Sequence, residues 1–157
     1  MLTNAIIAGL LWFAAISCGL LAGVYFAFSA FIMTAFGQID GPSGSAAMTA
    51  INRVILRSPF MPLFFGSTLA ALILAIVGAL CLPSAYGIAL LAGGSIYAIG
   101  MFGVTVARNV PLNNRLERAS GDLDLWQDYL RRWTRWNHVR TLASTSAMAA
   151  FIHALTL

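Results

Sequence analysis

The chain has 157 residues, of which 60% fall in the AVILMFWYC set and only 9% are charged, with a formal charge of +4. Its mean hydropathy is +0.85. Soluble domains carry about 45–50% apolar residues and about 25% charge, so the composition excludes a soluble enzyme, a nucleic-acid binder and a disordered chain, and points to an integral membrane protein whose first partner is the lipid bilayer.

A membrane helix takes roughly 20 apolar residues at about 1.5 Å each. The length therefore predicts one all-α domain over residues 1–157, a four-transmembrane-helix bundle with room for a small pocket between its helices. The first apolar segment, Ala5 to Phe36, runs 32 residues without a charge, so it must tilt or overshoot the bilayer. No Lys or Arg precedes it, which argues against a cleaved signal peptide. Ala15, Gly19, Gly23 and Ala27 recur at every fourth position and predict close helix approach. They also make a homodimer a reasonable expectation.

Gly37 to Ser45 reads as a polar turn. A short amphipathic stretch with Arg53 and Arg57 leads to Pro59 and Pro62, which suit the first turn of a helix. The second span runs to about Leu82, and Pro83-Ser84 forms a tight turn. The third covers roughly Tyr86 to Ala107, where Pro111 ends it or reorients the chain. Asp122, after Gly121, fits an N-cap. The helix it starts continues to the C-terminus, about 35 residues or roughly 50 Å, so its first half must protrude from the bilayer. The fourth span is Asn137 to Leu157.

All nine basic residues are Arg, and every ionised residue lies between spans one and two or around the stretch between spans three and four. The positive-inside rule makes that side cytoplasmic. The expectation is a bacterial-type inner-membrane protein with both termini outside and a last helix that protrudes into the cytoplasm.

At 100° per residue, Trp126, Tyr129, Trp133, Trp136, Asn137, Arg140 and Ser144 fall within about 100° of arc on that last helix. Gln127, Asp128, Arg131, Arg135 and His138 fall opposite. A guanidinium on the inward face needs carbonyls, a carboxylate or a ligand. Snorkelling by Arg140 within an aromatic belt would account for the same pattern. A second polar cluster, Asn109-Val-Pro-Leu-Asn113-Asn114, ends span three at the same depth. Capping of backbone groups freed by Pro111 is its ordinary use. Tyr25, Phe26 and Phe28, with Phe60, Phe64 and Phe65, should reach a similar level. Together they predict an aromatic-walled cavity with Asn and Arg at its mouth, suited to a small lipophilic aromatic substrate.

His138 carries the imidazole that a general base would use, but the wheel turns it away. His153 lies 15 residues further on, roughly 22 Å along the axis, so the two cannot share a metal. No carboxylate lies inside a span, so no protein metal site is expected. A haem held by one His stays open. Cys18 and Cys81 form no C-x-x-C pair and read as packing thiols. The want of a titrating group in the bilayer also counts against a proton-coupled carrier.

The segment Asn109-Val110-Pro111-Leu112-Asn113, followed by Trp133-Thr-Arg-Trp136-Asn137-His-Val-Arg140-Thr141, resembles the anthrone oxygenase family of small four-span membrane proteins. The resemblance implies oxidation of an anthrone to an anthraquinone with O2 as co-substrate and no cofactor. On this sequence it implies Arg140, Asn137 and Asn109 as holders of the oxyanion. Trp133, Trp136 and Tyr129 would stack on the rings, Asn113 would support them, and Tyr25 and Ser144 would complete the binding surface, with His138 the candidate base. Two other readings are a haem- or quinone-binding electron-transfer subunit and a non-catalytic bundle that binds lipid or a partner protein.

Overall fold

The computed structural model describes residues 2–119 and 122–157, with side chains described from Ala5 onward. Within them the chain is 90% helical, with five helices and no strand. Helix α1 (residues 2–38) is α-helical over Leu2–Ala27, passes through a π-helical turn at Phe28–Ile32 and resumes at Met33–Gln38. Helix α2 is Gly41–Ile55 and α3 is Phe60–Leu80. Helix α4 (residues 85–118) joins Ala85–Ile96, π-helical stretches at Tyr97–Gly103 and Thr105–Asn109, and Val110–Arg118. Helix α5 is Leu123–Ala154.

Three stretches are long and apolar enough to cross a membrane: Ala5–Gln38, Phe60–Leu80 and Ala85–Arg118. Helix α5 falls short because Asn137, His138, Arg140, Thr141, Ser144, Thr145 and Ser146 dilute its apolar surface. It is nonetheless an integral part of the bundle. Helix α1 packs on α3 and α5, and α4 packs on the same two, so the four long helices close a ring. Leu11, Cys18, Leu21, Leu74, Leu90, Tyr97, Met101 and Phe151 fill its centre. Outward on α1, α3 and α4, Trp12, Ile16, Leu20, Leu69, Ile76 and Ile99 stand exposed, the apolar coat that a bilayer would cover.

The ends of these helices follow local chemistry. Asp122 accepts from the Leu125 N–H at 2.9 Å, the expected N-cap of α5; Gly121 lies outside the described residues. Ser84 caps α4 by accepting from Gly87 N–H at 3.0 Å. The peptide between Leu82 and Pro83, in the turn before it, is cis.

Two expectations are corrected. Gly37 to Ser45 is not a turn throughout, because α2 begins at Gly41. Asp40 accepts from the Ser43 N–H at 2.9 Å, with Pro42 in the first turn. That backbone donor holds the exposed Asp40 carboxyl below the usual carboxylate range. The break in the chain shrinks to Ile39 and Asp40. Nor does Pro111 end α4. The helix passes through it because the preceding π-helical turn hands the Val110 N–H to the Thr105 carbonyl, a wider register that receives the proline.

Above the ring, the end of α1, α2, the far end of α4 and the first half of α5 build a second, smaller core from Met33, Met48, Leu116, Trp126, Tyr129 and Trp133. A tight seat in it is Gly44, where a Cβ would come within 2.7 Å of the Phe36 carbonyl and 2.8 Å of the Trp126 ring. Of the small residues on α1, Gly19 is used in the same way against Met148, whereas Gly23 faces open space.

Gly44→Leu should therefore destabilise the purified protein by about 1–3 kcal/mol through overpacking. The midpoint of thermal unfolding in detergent checks this, and an unchanged midpoint would mean that α2 does not seat on Trp126 in solution.

Candidate functional site

A cavity of about 240 Å³ lies at the junction of the two cores. Every helix contributes to its wall: Tyr25 and Phe28 from α1, Met48 and Asn52 from α2, Phe60, Phe64 and Phe65 from α3, Phe102, Thr105 and Asn113 from α4, and Trp133 and Arg140 from α5. The wall is almost wholly apolar, and among its few polar side chains Thr105, Asn113 and Arg140 are held by hydrogen bonds.

Arg140 is the charged one. It is 6% exposed. Its Nη2 donates to Asn137 Oδ1 and its Nη1 lies 3.4 Å from Thr105 Oγ1. The guanidinium carbon sits 4.4 Å from the Tyr25 ring centre and 5.1 Å from that of Trp133, so two π faces receive the cation. Its Nε has no partner. No carboxylate reaches it: the ion pairs among the described residues are Arg53–Glu117, Arg131–Asp128 and Arg132–Asp128, all near the surface.

Asn137 ties this group to α1. While its Oδ1 receives Arg140, its Nδ2 donates to the Tyr25 carbonyl and to Ser29 Oγ, both at 2.6 Å. Ser29 lies within the π-helical turn that follows Tyr25, a local widening of the backbone ladder of the kind found at functional sites. Thr105, in the corresponding stretch of α4, donates to the Met101 carbonyl at 2.7 Å and offers its oxygen to Arg140.

The aromatic face is fixed by the two expected asparagines. Trp126, Tyr129 and Trp133 stack along α5, with centroids 5.8 and 6.2 Å apart. Asn113 Oδ1 accepts from Tyr129 Oη at 2.9 Å and from Trp133 Nε1 at 3.0 Å. Burial raises the Tyr129 pKa against the opposing influence of Asn52 and Arg140, so the phenol keeps its proton and remains a donor. Asn109 is buried and donates to the Trp133 carbonyl at 3.3 Å, while its Oδ1 is unpaired.

The sequence-predicted residues therefore divide. Arg140, Trp133, Asn113 and Tyr25 meet at the cavity, as do Phe28, Phe60, Phe64 and Phe65. Asn137, Asn109 and Tyr129 are buried behind its wall. Ser144 is buried one turn beyond Arg140 with its hydroxyl unpaired, off the cavity. Trp136 is half-buried with Arg108 over its ring at 4.9 Å, away from the cavity. Phe26 is exposed. His138 is exposed in a separate groove with Thr34, Gln127 and Arg135, so no imidazole reaches Arg140. Asn52, Met48, Thr105 and Ser29 were not singled out from the sequence. Asn52 did leave a signal, for it shares one face of α2 with Met48 and Ile55.

The family described as anthrone oxygenase matches residues 58–150, more than half of the chain. The chain belongs to the anthrone oxygenase family. No curated protein and no solved structure matches it. The family match takes in Asn109, Asn113, Trp133, Asn137 and Arg140, while Tyr25, Phe28 and Asn52 come from the part of the chain ahead of it.

Replacing Asn113 by Leu would strand two donors, the Tyr129 hydroxyl and the Trp133 indole. A loss of about 1–3 kcal/mol in stability is expected, with a change in tryptophan emission, and Asn113→Asp should restore both. If Asn113→Leu unfolded like wild type, the shared acceptor would not be holding the stack.

Proposed function

We propose that this protein is a membrane-embedded oxygenase that converts a lipophilic polycyclic aromatic of the anthrone kind into the corresponding quinone with O2, without a cofactor. In this reading α5 serves as the fourth span, the arginine-rich end is cytoplasmic and both termini lie outside. The observation that carries the reading is Arg140: a buried guanidinium without a carboxylate, facing a small aromatic-walled cavity with one N–H unpaired. A site so built favours a ligand that becomes anionic while buried. The family membership supplies the reaction class.

The chemistry balances. The ring system loses its benzylic proton to water, and the electron pair left behind makes an enolate whose oxygen lies against Arg140. The enolate passes one electron to O2. The two radicals then join through a new carbon–oxygen bond, and protonation of the peroxide oxygen gives a hydroperoxide. Loss of water, with cleavage of the O–O bond and departure of the remaining hydrogen on that carbon as a proton, leaves the quinone. One substrate and one O2 give one quinone and one water.

Arg140 stabilises the enolate more than the neutral ketone, so it acts on the barrier as well as on binding. Asn137 and Thr105 position the guanidinium. Trp133 and Tyr25 wall the ring plane, Tyr129 and Asn113 brace Trp133, and Asn109 holds its backbone. His138 takes no direct part. Tyr25 and Arg140 are the titratable side chains on the described cavity wall, so proton release falls to water and to the acidity of the bound substrate. An adjoining hollow shares Asn52, Leu56, Val110 and Asn113 with the cavity and gives water a route to it. The haem form of the electron-transfer alternative would need an imidazole inside the bundle, whereas His138 and His153 stand exposed on α5.

Arg140→Ala should lower turnover of an anthrone at least about 100-fold, the usual loss when an oxyanion donor is removed, with the protein still inserted and folded. His138→Ala should keep most of the activity. Oxygen uptake by the purified variants checks both, and the reverse order would overturn the assignment. The pH at which kcat/KM rises should move with the acidity of the substrate when two anthrones of different acidity are compared. A fixed inflection for both would reveal a protein base.

A further inference from the structure

The polar atoms on the cavity wall differ in whether the protein already uses them. Thr105 Oγ1 donates to the Met101 carbonyl and receives Arg140. Asn113 Oδ1 is occupied by two donors from α5. Two buried N–H donors remain without an acceptor: Arg140 Nε and, across the cavity on α2, Asn52 Nδ2. The Tyr129 phenol lies close enough to feel the Asn52 amide, but Asn52 Nδ2 finds no acceptor within hydrogen-bond distance and angle.

An amide donor left unpaired among Met48, Ile51 and Ile55 is disfavoured unless something fills it. Asn52 is also one of the four residues common to the cavity and the adjoining hollow, where the Arg53–Glu117 pair at 2.7 Å joins α2 to α4. The wall thus offers donors at two places, one cationic and one neutral.

We propose that Asn52 is a substrate contact and a specificity-determining residue, whose amide N–H receives a second acceptor oxygen on the ring system while the first lies against Arg140. The preferred ligand is then a flat aromatic with two acceptor oxygens, held between α2 and α5. This rests on the reading of the cavity as an aromatic site and adds to it which oxygens are read and by what. Asn52 lies on α2, ahead of the residues that the family match covers.

The test is a binding measurement that needs no turnover: quenching of tryptophan fluorescence in the detergent-purified protein by anthracene, anthrone and anthraquinone, which carry no, one and two carbonyl oxygens. Asn52→Leu should weaken anthraquinone about tenfold, the worth of one hydrogen bond to a buried donor, and leave anthracene and anthrone unchanged. Asn52→Met, which stays neutral and of similar bulk but has no N–H, should do the same and guards against loss of packing in the Leu variant. Arg140→Met should weaken both anthrone and anthraquinone. Equal effects of the Asn52 variants on all three probes, or none on any, would overturn the assignment of Asn52 alone. Failure of all three probes to bind the wild-type protein would overturn the aromatic-cavity reading itself.

Discussion

A guanidinium cannot be buried without compensation, and the rest of this fold arranges itself around that requirement. The ordinary solution, a carboxylate partner, is absent from the surroundings of Arg140. Its charge is instead shared among the Asn137 side-chain oxygen, the Thr105 hydroxyl and two aromatic faces. Neutral acceptors and π systems stabilise a cation less than an ion pair does. The group is therefore held firmly in position yet remains electrostatically unsatisfied, and a carboxylate there would have cancelled the field that an arriving anion would feel.

The helices supply this arrangement through their irregularities. Regular α-helices would hold nearly all their carbonyls in the i to i+4 ladder. At the level of Arg140 both α1 and α4 widen into π-helical turns, and it is from in or beside these stretches that Tyr25, Ser29, Met101 and Thr105 provide oxygens. The second core then fixes the aromatic wall, with Trp126 seated on Gly44 and the stack pinned by Asn113. Packing, backbone register and hydrogen bonding converge on Trp133 and Arg140.

Much of this was legible in the sequence because helical periodicity survives any detail of packing. The 100° wheel on α5 separated the buried Trp126, Tyr129, Trp133, Asn137, Arg140 and Ser144 from the exposed Gln127, Arg131, Arg135 and His138. What it could not supply was anything set by neighbouring helices. Trp136 sits at the edge of the aromatic arc, and only the position of Arg108 on α4 decides which way it is used. The wheel likewise cannot foresee a π-helical turn, so Pro111 read as a stop or a reorientation of the chain. The start of α2 was hidden because Gly41, Pro42 and Gly44 resemble loop composition, although Asp40 and Pro42 form an N-terminal signature and Gly44 is small for the sake of Trp126. The amphipathic stretch that follows gave no sign of what it packs on, so Asn52 had no cavity to line.

The cavity wall is not sealed on the side of the bundle. Val24, Phe65 and Val106 line it and at the same time stand exposed on the outer faces of α1, α3 and α4. In a bilayer those side chains would touch acyl chains, which makes the interior of the site continuous with the lipid phase. A lipophilic ring compound would then be counted per lipid molecule rather than per litre. Adding lipid or detergent at fixed total substrate would lower its density around each protein and slow the reaction by surface dilution. The membrane becomes the solvent in which this site's affinity has its meaning.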